Sequence, residues 1–185
     1  MKLDEQADAA GSAVHLVLGN HEVMVMSGDL RSVSAAEYAA FAQDESQAER
    51  DSLFSEFIRH NPINPESGEA TAREKFDNRY PPGLIALRKA FSLQGNIGRW
   101  LIQQPLALKV NDKVYMHGGI ASSVSEDSIN SRAKTELRNF LNATQTLRAA
   151  GVMPWYVDYN DRLSFLNARA EEFKAGQPDK RCGWV

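Results

Sequence analysis

A largely apolar run, Val14-His15-Leu16-Val17-Leu18, stops at Gly19 and gives way to three polar residues, Asn20-His21-Glu22. No other stretch limits the fold so strongly. An apolar run of this length ending at glycine reads as a strand buried on both faces, as in a parallel sheet. Ligands of such sheets gather at the carboxyl ends of the strands. The pattern therefore sets an amide, an imidazole and a carboxylate where an open α/β fold does its chemistry. Asn20 offers a neutral carbonyl oxygen to a metal, His21 can ligate or act as an acid near neutral pH, and Glu22 can brace the loop. The plainer alternative is a β-to-α turn that is merely polar.

A second segment, residues 106–120, repeats the arrangement. Leu106, Leu108 and Val110 alternate with Ala107 and Lys109, a strand pattern. Asn111-Asp112 is a turn pair. Val114 to Met116 then form a second strand that ends at His117-Gly118-Gly119-Ile120. Two glycines after a histidine let the backbone turn sharply and leave room for a ligand beside the imidazole.

Gly19-Asn20-His21-Glu22 taken together with His117-Gly118-Gly119-Ile120 resembles the calcineurin-like metallophosphoesterases, and within them the phosphoprotein-phosphatase branch. The flanks Gly19 to Met24, Gly28-Asp29-Leu30-Arg31 and Gly98-Arg99-Trp100-Leu101 look like the bacterial Shewanella-like protein phosphatases. The resemblance runs from Val14 to Ile120, a little over half of the chain. It implies an α/β fold: a partial metallophosphoesterase β-sandwich flanked by helices. It implies a dinuclear divalent-metal site, Mn²⁺ foremost with Fe or Zn²⁺ as alternatives. Carried over residue by residue, Asn20 and His117 match two ligands of one metal. His21 matches the proton donor to the leaving group, and Glu22, Gly118 and Gly119 match supporting positions. Arg31 is the nearest candidate for a substrate-phosphate contact, with a surface or carboxylate-paired role as the alternative. The substrates implied are phosphorylated proteins or small phosphomonoesters.

The departures are equally specific. The family's first metal motifs, an Asp-x-His and a Gly-Asp-x-x-Asp-Arg-Gly, precede its Gly-Asn-His-Glu, and Met1 to Ala13 contain neither. No histidine follows His117 to supply the family's late ligand. Three readings follow: a piece of a metallophosphatase lacking both ends, a catalytically degenerate binding or scaffold module, or an enzyme completed by another chain. Two ligands cannot hold two metals, so weak metal binding and poor turnover are expected of the isolated chain. A sheet stripped of neighbouring strands is expected to self-associate through its edge.

Length and composition agree with one domain over residues 1–185. The chain is 43% hydrophobic and 24% charged, ordinary globular values. A net charge of −3 gives no electrostatic pull toward nucleic acid. The single Cys182 excludes an internal disulfide, and no apolar run reaches the roughly 20 residues of a membrane span.

Between the two motif segments the periodicity is helical. Met1 to Ala10 reads as a helix stopped by Gly11. Val23 to Met26 reads as packing under the motif loop. Ser34-Ala35-Ala36-Glu37 is a capping box starting a helix, and the polar run Gln43 to Arg50 is expected to stay exposed. Leu53, Phe54, Phe57 and Ile58 recur at helical spacing, with His60 as a C-terminal cap before the stop at Asn61-Pro62-Ile63-Asn64-Pro65. Phe76 and Tyr80 anchor the next, charged segment. Pro81-Pro82-Gly83 breaks it, Leu84 to Leu93 forms another helix, Gly95 to Gly98 a turn, and Arg99 to Gln104 a short helix. Residues 34–104 thus read as a helical insertion between the motif-bearing strands. Glu126 to Ala150 is the clearest helix, with a stripe of Ile129, Ala133, Leu137, Phe140, Leu141 and Leu147. The aromatic cluster Pro154-Trp155-Tyr156 precedes a last helix, Asp161 to Lys174, and a turn-rich tail from Gly176 to Val185.

Overall fold

The first helix, α1, spans Lys2–Ala9 and ends at Gly11, whose φ of +70° takes the backbone where other residues are strained. The computed structural model describes residues 2–62, 68–119 and 124–174. The Ile63-Asn64-Pro65 stop, Ile120, Cys182 and the tail from Gly176 lie outside them.

The run from Val14 to Leu18 is not a strand of any sheet among the described residues, contrary to expectation. Val14 is 46% and Leu16 38% exposed, while Leu18 is buried. A strand buried on both faces needs a ladder on its flank. Here the flank supplies one bond, from Leu18 N–H to the Pro105 carbonyl at 2.8 Å. Only the end of the run is therefore pinned to the core.

Helix α2, Asn20–Ser27, follows directly and is closed by Gly28 at φ +91°. Among the described residues of the insertion every regular element is helical: α3 (Ala35–Phe41), a 3₁₀ turn (Ala42–Asp44), α4 (Gln47–His60), α5 (Gly68–Arg79), α6 (Leu84–Ala90) and α7 (Asn96–Leu101). The Ser34 capping box forms as its spacing requires, with Ser34 N–H donating to Glu37 Oε2 and Glu37 N–H to Ser34 Oγ. A second box, Ser46 with Glu49, starts α4. His60 bonds back to the Glu56 carbonyl at the end of that helix. Asn96, Ile97 and Gly98 belong to α7 rather than to a turn. Gly95 serves as its N-cap, and the absent Gly98 side chain lets the Ser92 and Phe91 carbonyls approach.

In the polar run from Gln43 to Arg50, residues 43, 44 and 46–48 are exposed as expected, but two charged side chains are not. The Glu45 and Arg50 side chains are only 1% and 8% exposed and pair at 2.6 Å. Arg50 also bonds Asp77 and the Tyr80 carbonyl, while Glu45 accepts the N–H groups of Gly83 and Ile85. Helical periodicity counts apolar side chains and so passes over a buried ion pair. This one ties α4, α5 and the start of α6 together.

After the insertion, β1 (Ala107–Val110) and β2 (Lys113–Met116) pair antiparallel, with Val110 opposite Lys113. Asn111 turns the chain at φ +54°, a conformation asparagine tolerates. Helices α8 (Glu126–Ala149) and α9 (Tyr159–Lys174) complete the order. The fold is mixed α/β and mostly helical. Among the described residues the sheet has two strands, and a β-sandwich is not among them. No helix there is long and apolar enough to cross a membrane.

Three apolar clusters fill the interior. Leu18, Met26, Leu101, Ile102 and Leu141 join α2, α7 and α8. Phe54, Phe76, Tyr80 and Leu84 form the insertion's centre, with Trp155 and Tyr156 packed on it. The aromatic cluster is thus core packing. Leu147, Met153 and Val157 make the third.

Candidate functional site

Gly19 and the first turn of α2 place the motif residues. The Gly19 N–H donates to Glu22 Oε2 at 2.9 Å, so Glu22 braces the turn from within the helix. A Cβ on Gly19 would stand 2.7 Å from Glu22 Oε2 and 3.2 Å from the His117 ring. The glycine is therefore the floor on which the two motifs meet.

His117 arrives from the end of β2. Its Nε2 lies 2.9 Å from Asn20 Oδ1, across 97 residues of sequence, and both side chains are exposed. Two donors at right angles on one octahedral metal, each about 2.1 Å away, stand about 3 Å apart. With the proton on Nε2 the contact is a hydrogen bond from the imidazole to the Asn20 amide oxygen; with the proton on Nδ1 the same spacing fits the two-ligand geometry. Beyond these two, no group of three or more His, Cys, Asp or Glu side chains among the described residues is placed to hold a metal. A metal at Asn20 and His117 would thus take most of its coordination from elsewhere.

The other expected residues divide. His21 follows Asn20 on the first turn of α2 and is exposed. Its charge is felt by Glu37, whose carboxyl is held low chiefly by hydrogen bonds from Ser34. Around Gly118 and Gly119 a side chain would meet only open space, which gives the room expected beside the imidazole. The chain bends at His117 and Gly118 as expected, without a positive φ at either glycine. Arg31 is not brought to the site. It grips Asp29 through Nε at 2.9 Å and Nη2 at 2.6 Å, beyond the opposite end of α2. That grip is the main cause holding the Asp29 carboxyl below its usual range.

Two positioning residues escaped the sequence reading. Asn130 of α8 accepts the N–H groups of Leu106 and Ala107 at 2.8 and 3.1 Å and donates to the Ala107 carbonyl at 2.7 Å. Its amide stands in for a neighbouring strand along β1. Lys134, four residues on, donates to the Gln103 carbonyl at 2.8 Å. Their helical spacing beside Ile129 and Ala133 was the available signal.

No protein-family model matches the chain, and no solved structure matches it.

Proposed function

We propose that the chain carries one side of a metallophosphoesterase centre and acts in metal-dependent hydrolysis of phosphomonoesters. The α/β phosphatase sandwich implied by the motif resemblance is the setting proposed for it. The observation that supports this reading is the approach of His117 Nε2 to within 2.9 Å of Asn20 Oδ1. Asn20 and His117 would hold a divalent metal, Mn²⁺ foremost. When bound, the ion supplies positive charge that polarises a phosphoryl group and helps activate water for in-line displacement. The chain's own residues do the rest. Glu22 fixes the turn through the Gly19 N–H and so sets the direction of Asn20. His21, one residue on, is the proton donor to a departing alcohol oxygen. Phosphorylated side chains of proteins, or small phosphomonoesters, are the substrates.

The test is p-nitrophenyl phosphate hydrolysis with and without Mn²⁺, run beside His117→Ala and Asn20→Ala. Slow turnover is expected, requiring Mn²⁺ and falling at least ~10-fold in either variant. Wild-type rates equal to those of His117→Ala would overturn the catalytic reading and leave a phosphatase-like binding module.

A further inference from the structure

At the C-terminal end of α2 the helices α2, α6, α8 and α9 border a half-open cavity of about 340 Å³ whose lining includes Arg88, Arg148, Arg162 and Trp155. An eight-residue helix is about 12 Å long, so the cavity lies well away from Asn20.

The arginines are poorly matched to their surroundings. Arg88 Nη1 and Arg148 Nη2 both donate to one acceptor, the Trp155 carbonyl, at 2.6 and 2.9 Å. Two positive groups thus crowd a single neutral oxygen. Arg162, 3% exposed, donates to the Ser27 and Val157 carbonyls at 2.7 and 3.0 Å. Gly28 makes room for it, since a Cβ there would fall 2.0 Å from Arg162 Nη1. Arg88 Nε, Arg148 Nε, Arg162 Nη2 and the Trp155 indole N–H are buried and find no acceptor among the described residues. No carboxylate lines the cavity among those residues. Asp158 and Glu56 act on these arginines only through space, and each has a hydrogen-bond partner of its own: Asp158 takes Arg79, and Glu56 takes the backbone N–H of Trp155.

Burial, and then the neighbouring guanidiniums, pull Arg88 and Arg162 below the ordinary arginine range. A buried lysine relieves such a conflict by losing its proton. A guanidinium keeps its proton, so relief must come from an anion. Guanidinium forks suit phosphate oxygens, and the unpaired indole N–H adds a neutral donor. Val25, Leu53, Ile85 and Leu141 supply apolar wall beside the charge.

We propose that this cavity is a phosphate-binding site, separate from the Asn20–His117 site, in which Arg88, Arg148, Arg162 and Trp155 receive one phosphate group. The ligand would bridge three helices, α6, α8 and α9, and the loop between the last two.

Thermal unfolding of the full chain in EDTA tests this, with inorganic phosphate compared against chloride at equal ionic strength. Phosphate is expected to raise Tm by at least ~5 °C at a hundredfold excess over its Kd. The rise should vanish in Arg88→Met and Arg148→Met and persist in His117→Ala. In Trp155→Phe the phosphate-dependent change in tryptophan fluorescence should be lost, which serves if an arginine variant fails to fold. No rise in the wild type, a rise that survives both arginine changes, or one abolished by His117→Ala overturns the proposal. Phenyl phosphate run in parallel identifies the source. A larger rise than with inorganic phosphate means a phosphate ester seated against the apolar wall, and an equal or smaller one means free phosphate.

Discussion

At Gly19 space matters and the backbone angle does not. Its φ of −96° is open to any residue, but a methyl group would press on the Glu22 carboxylate and the His117 ring. Gly19→Ala is expected to cost about 1 kcal/mol, the worth of the displaced capping bond, and to weaken Mn²⁺ binding as His117 moves. Urea denaturation and a metal titration on the same sample check both halves. Asp29 gives a residue-scale prediction in pH. Its carboxyl is lowered by the hydrogen bonds from Arg31, so its stabilising contribution is present above the ordinary carboxylate pKa. That contribution is lost as pH falls through the lower folded value, because the unfolded chain takes up the proton first. Asp29→Asn should therefore lose less stability than wild type between about pH 4 and pH 2, read from urea midpoints across that range.

Among elements, the β1–β2 hairpin depends on α8 more than on a sheet. Asn130 supplies three hydrogen bonds along the flank of β1, where a strand would otherwise pair. Asn130→Ala leaves two buried-side N–H groups and a carbonyl without their partner, an expected loss of about 1–3 kcal/mol. Hydrogen exchange should locate the effect, with the Leu106 and Ala107 amides losing protection while those of α4 keep theirs. Asn130 was not legible in the sequence, because its partners lie 23 and 24 residues away. Helix α3 could be read from its local cap and α4 and α8 from their apolar stripes, because those signals lie within a few residues, while the Ser46 and Ser125 caps were passed over. The Asn111-Asp112 turn was legible for the same reason. The Val14–Leu18 run misled because its composition suits a strand, and whether a strand forms depends on a neighbour the run cannot encode. Glu45 and Arg50 looked like solvated charges because their partners, Asp77, Tyr80, Gly83 and Ile85, lie about 30 to 40 residues away. The meeting of Asn20 with His117 followed from motif resemblance. Periodicity placed each at a strand end but said nothing of the 2.9 Å between them.

Across the whole molecule α2 sets the layout. Its first turn holds Asn20 against His117, and its last residue, Ser27, accepts from the buried Arg162 at the arginine-lined cavity. The helix also contributes Met26 to the cluster that joins α7 and α8. The insertion packs its own centre around Phe76 and borrows Trp155 and Tyr156 from the chain beyond β2. The two motif segments are therefore held in register by packing from both directions rather than by a continuous sheet. This account stands or falls on whether Asn20 and His117 together hold a metal. Electron paramagnetic resonance of free Mn²⁺, titrated with the chain and with His117→Ala, measures that directly. The account predicts that wild type removes signal from solution, weakly but saturably, and that His117→Ala does not. Equal loss of signal with both proteins, or none with either, would contradict it.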